Sequence, residues 1–394
     1  MANDLLTPTA VTREALRILH EQLSFVGSCD MQYDSQFAQT GAKIGSSLKV
    51  RKPNKYTVRT GKALSTQDTT ETSETITMAT QKGVDVTFST AELTLDLQDF
   101  SERILAPAMS VLAADIEADA WNMYKDVYNQ VNNHGSAITF NKLLMGRKAL
   151  SDNLAPRSQR CAHLSTQDNV DLVDALKGLF HDSGEVSKQY REGYVGKTAG
   201  FGEIFESTYI PRHTAGAGVD DSYLVNGASQ TGADVTVDGG SSALAVGDVF
   251  TIAGVNRVHP ETKVDTGSLQ QFTVTAVYAG GAGDIDISPS IVTSGASQNV
   301  SGSPADNAAL TFAGTASTAH DVSLVHHKDA FAFVSADLEV PNGVDFAKRE
   351  VFDGISMRII RDYTISDDEM PCRIDVLYGY KTLYAELAAR LANN

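Results

Sequence analysis

The amino-acid sequence predicts an α+β fold with a separate all-β segment set into it, and three observations lead there. Apolar residues recur every three or four positions from Leu93 to Val127, the period of a helix. Between Leu48 and Phe88, β-branched residues alternate with polar ones, the period of strands. Between Thr214 and Val322 the composition changes: Gly, Ser, Thr and Ala dominate, eleven acids meet only Arg257 and Lys263, and short alternating runs repeat.

Taken in order, residues 9–24 place Val11, Ala15, Ile18, Leu19 and Leu23 on one stripe and predict an amphipathic helix. Gly27 to Gly45 is polar and turn-rich and predicts an extended connection. A long hairpin is expected over 48–90, with strands at 55–60, 75–80 and 84–88. Its first arm, Lys43 to Lys62, holds seven basic residues and no acid, whereas the distal part brings Asp68, Glu71 and Glu74. Segregated charge steers partner and register, so Lys49, Arg51, Lys52, Lys55, Arg59, Lys62, Asp68, Glu71 and Glu74 are subunit-interface candidates; the plainer reading is a solvated loop. Pro107 fits only the first turn of a helix. The stripe from 92 to 130 therefore predicts a short helix before Pro107 and a long one from 107 to 130, a rod of about 35 Å at about 1.5 Å per residue.

Helices are predicted at 141–153 and 167–180, the latter with Val170, Val173, Leu176, Leu179 and Phe180 on a shared face, and a strand at 205–210. Within 214–322 the strand candidates are 223–225, 235–237, 249–252, 272–277 and 285–287, a pattern for a small antiparallel barrel or sandwich inserted into another domain. Residues 323–394 return to mixed composition, with strands at 330–334, 356–360 and 373–377.

A chain of 394 residues has length for two or three domains, and 42% apolar with 21% charged residues fits a globular protein rather than a disordered one. The net charge of −17 argues against a protein whose affinity comes from neutralising phosphates. Cys29, Cys161 and Cys372 are too scattered for a disulfide framework or a CxxC metal site. No signal peptide or membrane span is readable, so a soluble protein made and kept in a cytoplasm is expected.

The motifs that carry chemistry do not appear. Gly196, Lys197 and Thr198 end like a phosphate-binding loop, but Arg191 occupies the position of the required glycine. His320, Asp321, His326 and His327 could supply metal ligands, yet the adjacent pair would point to opposite faces of a strand, and surface histidines are expected. Asp367 and Asp368 sit in a DDEMP turn that reads as solvated, and the Asn299–Ser301 glycosylation triplet is idle without a secretory route. No catalytic residue, cofactor or metal site emerges, which turns the expectation from catalysis toward assembly. Any exposed part of the long helix, where Asp115, Glu117, Asp119 and Asp126 outnumber Lys125, would repel a duplex.

Segments spread over most of the chain then show what it resembles: DFSERILAPAMSVLAADIEAD at 99–119, NVDLVDALKGLFHDSGEVSKQYREGYVGKTAGF at 169–201, ESTYIPRHT at 206–214, VGDVFTIAGV at 246–255 and ISMRIIRDYTISDDEMPCRIDVLYGY at 355–380. In this order they resemble the major capsid (coat) proteins of tailed bacteriophages, in the coat-protein family of the short-tailed Salmonella phage P22. The resemblance implies a Hong Kong 97-type capsid fold: an N-terminal arm (1–47), an extended hairpin (48–91), a spine helix with peripheral domain and first part of the axial domain (92–213), an inserted β-barrel (214–322), and a return to the axial and peripheral domains (323–394). It implies self-assembly into hexamers and pentamers of an icosahedral shell with a separate scaffolding protein, a portal at one vertex, and enclosure of double-stranded DNA without specific binding. The protein would reside in the virion, made in the cytoplasm of a bacterial host. Asn226 to Asp234 is short and nearly neutral where the family's better-known member carries a long charged bridging loop, so bridging by that loop is not expected. Lys52, Lys55 and Lys62 are available for the lysine–asparagine crosslink of one branch of the fold, but no feature singles one out. The rival reading is a β-rich virion or surface protein using the acidic 214–322 module to bind a receptor or glycan.

Overall fold

Met370–Thr382 organises the first of two units in the computed structural model, which describes residues 8–34, 46–59, 61–64, 66–67, 71–88, 105–176, 198–341, 343–344, 346–352, 354–365 and 370–393. One unit comprises Met1–Lys52, Ser73–Trp121 and Phe331–Leu383; the other comprises Pro53–Thr72, Asn122–Ala330 and Tyr384–Asn394. In the first, Thr80–Phe88 pairs antiparallel along one edge of Met370–Thr382, while Ile355–Arg361 and Phe331–Ala336 follow each other along the opposite edge. Phe346–Phe352 and the parallel strand Asp30–Asp34 complete six strands. Period-two alternation turns Ile355, Met357, Ile359, Ile374 and Val376 into one buried face. Gly83 is required where the edge strand is closest: a Cβ there would overlap the Ile374 carbonyl oxygen.

Helix Pro8–Gln22 buries the predicted Val11, Ala15, Ile18 and Leu19, together with Leu16, against Phe346–Phe352, Ile355–Arg361 and helix Ala106–Trp121. The connection expected after it contains instead the short helix Phe25–Ser28 and the strand Asp30–Asp34. Pro107 lies in the first turn of Ala106–Trp121, as a missing N–H allows. This helix does not reach residue 130. It ends at Trp121, about 24 Å long at about 1.5 Å per residue, and tightens into the 3-10 helix Asn122–Asp126. Trp121, Met123, Tyr124, Val127 and Tyr128 are all buried, which a single α-helical stripe cannot accomplish. The short helix read before Pro107 lies outside the described residues.

The second unit contains two sheets. One has the order Gln130–Asn132, Ala388–Ala392, Ala319–His327, Arg160–Leu164, Glu203–Glu206, with Arg212–Thr214 also pairing with Ala319–His327. Helix Phe140–Asp152 packs on it, capped by Thr139, whose hydroxyl accepts the Lys142 N–H at 3.4 Å. Helix Thr166–Leu176 inserts Leu172 into the shared core of Leu143, Leu150, Ala162, Leu164, Val325 and Leu391. Of the face predicted for this helix, Val173 packs against the core but Val170 is 62% exposed, because the buried side is set by Leu172 and Asp168, while 177–180 lie outside the described residues.

The other sheet runs Leu310–Phe312, Val249–Val258, Asp265–Val274, Gly283–Ile291, Gly232–Asp238, Leu224–Val225. Its two end strands meet: Val225 N–H donates to Ala308 O at 2.9 Å and Leu310 N–H to Tyr223 O at 3.0 Å. Inside lie Val225, Val235, Val237, Phe250, Ile252, Phe272, Val274, Ile285 and Leu310, a core of its own. Each run of alternation predicted in 223–287 overlaps a strand of this sheet, although the one at 272–277 overruns Val274, where its strand ends, and Leu310–Phe312 gave no such signal. The flanking strands Arg212–Thr214 and Ala319–His327 pair side by side, His213 opposite His320, so the chain leaves and returns at one place.

Candidate assembly surface

Ser46–Lys52 and Thr72–Met78 form a two-stranded sheet. Across it, Lys52 Nζ donates to Glu74 Oε1 at 3.0 Å, joining one residue of the basic arm to one of the acidic part. Lys49 and Arg51 are exposed on the same strand, and Glu71 is exposed just before the other. Asp68 lies outside the described residues. Thr80–Phe88 does not continue the hairpin; it belongs to the six-stranded sheet, where Met370–Thr382 offers a full-length partner.

Beyond Lys52 the predicted strand at 55–60 is absent, since Pro53–Arg59 has no regular structure. Pro53 has no N–H to give a ladder, and side chains organise this stretch instead. Thr57 N–H donates to Gln67 Oε1 at 2.8 Å while Gln67 Nε2 donates to Thr57 O at 2.6 Å. Arg59 Nη1 donates to Ala63 O at 3.0 Å and to Gly61 O, around a turn that Gly61 enters at φ +94°. Lys55, Arg59 and Lys62 are exposed, as are Tyr56, Val58 and Leu64 at 60%, 96% and 84%. Exposed apolar side chains set among cations are the composition of a protein-binding surface. A cavity of about 670 Å³ beside this stretch is lined by Lys55, Tyr56, Arg257 and Lys263 among others. Burial, and then the nearby Lys55, hold the Lys263 ammonium below its ordinary value.

The histidine expectation is overturned. His320, His326 and His327 are 6%, 0% and 2% exposed, because Ala319–His327 has a strand on each edge and packed residues on both faces. His326 stacks on His163 at 5.4 Å, whereas His320 meets His134 at 4.3 Å and His213 at 5.5 Å. His213 is in turn engaged by Tyr124 and by Asp248, the latter at 2.9 Å. No group of three or more His, Cys, Asp or Glu among the described residues could hold a metal ion. Burial pushes the thiols of Cys161 and Cys372 up to about 11 and about 12, away from reactive thiolates. Gly196, Lys197, Asp367 and Asp368 lie outside the described residues.

Of the acids expected to give the long helix a repulsive face, Asp115 and Asp119 each lie 2.7 Å from Lys82 Nζ and Glu117 is buried, while Asp115 and Asp126 remain exposed. Arg390, which sequence reasoning missed, is fully buried and donates to Val127 O at 2.6 Å, Gly247 O at 2.8 Å and Thr273 Oγ1 at 3.1 Å. The only signal for it was a cation inside the otherwise apolar run AARLA.

Among the described residues the buried polar groups form internal ties, and Tyr56, Val58 and Leu64 lie exposed in the same stretch as Lys55, Arg59 and Lys62. The sequence model of the family described as P22 coat protein, gene protein 5, matches residues 36–389, and the chain belongs to that family. It is a major capsid protein of the tailed-phage type, a structural coat protein and not an enzyme, of a kind that assembles into an oligomeric shell in the virion. No curated protein matches the chain. Among solved structures, a Mycobacterium phage Che8 chain is 11% identical, with 94% of this chain and 90% of that one covered and a TM-score of 0.47. The mature capsid of bacteriophage PhiM1 is 10% identical over 94% and 87%, with a TM-score of 0.44. The CUS-3 coat protein I-domain is 37% identical, covering 23% of this chain and 94% of that one, with a TM-score of 0.19. No helix among the described residues is long and apolar enough to cross a membrane.

Proposed function

We propose that this coat protein is the shell-forming subunit of a Hong Kong 97-type capsid. With a separate scaffolding protein it forms hexamers and pentamers that close, with a portal at one vertex, into an icosahedral container for double-stranded DNA. The proposed five-part division is an arm at 1–47, a hairpin within 48–91 that ends before the sheet strand Thr80–Phe88, a spine and peripheral part at 92–213, an inserted barrel at 214–322 and a return at 323–394. The observation that carries this reading is the exposed stretch Lys55–Leu64, in which Lys55, Arg59 and Lys62 alternate along the chain with the exposed apolar side chains Tyr56, Val58 and Leu64. Such a ribbon is marginal alone and gains its stability from a neighbouring subunit with acidic and apolar surface. Electron microscopy of the purified chain, alone and with its candidate scaffold, tests the proposal. Closed particles, capsomers or tubes are expected; a protein that stays monomeric under all assembly conditions with the scaffold present would refute it.

A further inference from the structure

Strands Gly232–Asp238 and Gly283–Ile291 of the barrel are antiparallel neighbours, with Asp234 directly opposite Asp286 and Thr236 opposite Asp284. Alternation turns Val235, Val237, Ile285 and Ile287 into the core and leaves Asp234, Asp284 and Asp286 exposed on the outer face. The Thr236 hydroxyl donates to Asp284 Oδ1 at 2.7 Å, but among the described residues none of the three acids has an ion pair. Like charges directly opposite each other weaken a ladder, and a chain keeps such a pair where function uses it. This face is also partly apolar. Where the next strand, Asp265–Val274, has ended, Thr275 N–H still donates to Asp286 O at 3.0 Å, and Val277, two residues on, is 76% exposed.

An unpaired acidic face with an exposed Val277 is the converse of the stretch Lys55–Leu64, where Lys55, Arg59 and Lys62 alternate with Tyr56, Val58 and Leu64. The two surfaces are not brought together within one chain. Lys55 and Tyr56 lie beside Arg257 and Lys263, the only cations of 214–322, around one cavity. Both of those cations are engaged there, Arg257 with Asp152 at 3.0 Å and Lys263 with the Gln298 carbonyl at 3.1 Å. The stretch therefore meets like charge on its own barrel, and its complement is available on another copy.

We propose that the outer face of Gly232–Asp238 and Gly283–Ile291, with Val277, is the surface on which a second copy of this chain docks its Lys55–Leu64 stretch. The inference rests on the shell-forming reading above and names the acidic neighbour which that reading requires. Every copy offers one surface and receives the other, a heterologous contact of the kind that closes into rings. Docking places cations between carboxylates that repel one another in the free subunit, so the ladder is relieved only in the assembly, and salt weakens the contact.

Asp286→Lys separates this role from a structural one because its two effects have opposite signs. In the free subunit it sets an ammonium opposite Asp234, so the melting temperature should hold or rise. Particle yield should nevertheless fall severalfold under conditions in which the unmodified chain assembles. Asp284→Lys with Asp286→Lys should lower the yield further, and adding Lys55→Glu and Lys62→Glu, which exchanges the charges of the two surfaces, should restore much of it. An unchanged yield in Asp286→Lys, or no rescue by the exchange, overturns the proposal. Should a variant not fold, carbodiimide crosslinking of unmodified particles, built from mixed light and heavy-isotope subunits, decides the matter. Links from Lys55 or Lys62 to Asp234, Asp284 or Asp286 of another copy are expected, and their absence while other lysine–carboxylate links form refutes the contact. Failure of the shell reading shows itself differently: the unmodified chain then forms no particles, and this inference falls with it.

Discussion

At the scale of single residues, the polar groups of this coat protein are placed where loss of charge or of a partner has a predictable sign. Burial, and then the neighbours His134, His213, Arg390 and Arg212, hold His320 down to about 3. Asp248 engages His213 and Asp321 engages Arg212, so neither acid is directed to His320. Burial likewise lowers His326 to about 4, and it holds His163, which faces His326, well below its ordinary value. Because these folded-state values are depressed, the unfolded chain binds more protons once pH falls below about 6.5. Stability from the neutral histidines is fully present above that value and is lost toward pH 4, at up to roughly 1.4 kcal/mol per pH unit for each. Thermal melts over pH 7 to 4 should show this loss, with a shallower slope in His320→Gln; an unchanged slope would count against the assignment. Arg390 answers to partners rather than pH: Arg390→Leu strands the Val127 and Gly247 carbonyls and the Thr273 hydroxyl, and should lower stability by about 3 kcal/mol or more in chemical denaturation. Arg390→Lys, lacking the fork that reaches all three, should recover only part of the loss.

At the scale of elements, the hairpin supplies the decisive test. Replacing Lys49, Arg51 and Lys55 together by Glu leaves the Lys52–Glu74 pair and the Thr57–Gln67 exchange in place, so the subunit should keep its circular dichroism and melting temperature. Particle yield should fall severalfold, because the reversed ribbon now repels an acidic neighbour. A normal yield would remove these residues from the interface. The elements also show what a sequence can disclose. Pro8–Gln22 and Phe140–Asp152 were readable because their stripes match a one-sided burial, and the strands around Phe250, Phe272 and Ile285 because alternation survives where one face is core. Ala388–Ala392 was not, since Ala and Leu favour helix; it is a strand because Ala319–His327 and Gln130–Asn132 offer partners on its two edges. Phe346–Phe352 was obscured by Lys348, Arg349 and Glu350, which lie at the border of a sheet and find ion pairs there. The ribbon's charge segregation was legible because charge is written in composition. The hydrogen bonds from the Phe25 and Val26 amides to Glu117 were not, because they span 92 and 91 positions.

At the scale of the whole molecule, charge and connectivity argue for separable tasks. The stretch 214–322 carries over half of the net −17 and has its own core and a sheet whose end strands meet. Expressed alone, it should give a β-type circular dichroism spectrum and a cooperative melt. A disordered spectrum would deny that it is a domain. The same charge bears on the genome. A container that grips DNA through many phosphate contacts would hinder both filling and emptying, and this chain has 32 cations against 49 acids. The acids of the long helix supply part of that avoidance, since Glu117 is buried and Lys82 is shared by Asp115 and Asp119, while Asp115 and Asp126 stay exposed. Among the described residues the hairpin exposes Lys49, Arg51, Lys55, Arg59 and Lys62 within fourteen positions, while Arg13, Arg147, Arg157 and Lys381 are exposed elsewhere, and association with an acidic neighbour would cover the hairpin set. The free subunit should therefore retain DNA weakly and only at low ionic strength, through those hairpin cations, with an affinity that falls steeply with salt and does not depend on base sequence. The Lys49, Arg51 and Lys55 reversal should weaken that residual retention in a gel-shift assay. Sub-micromolar, sequence-selective binding at physiological salt would overturn both the charge argument and the container reading.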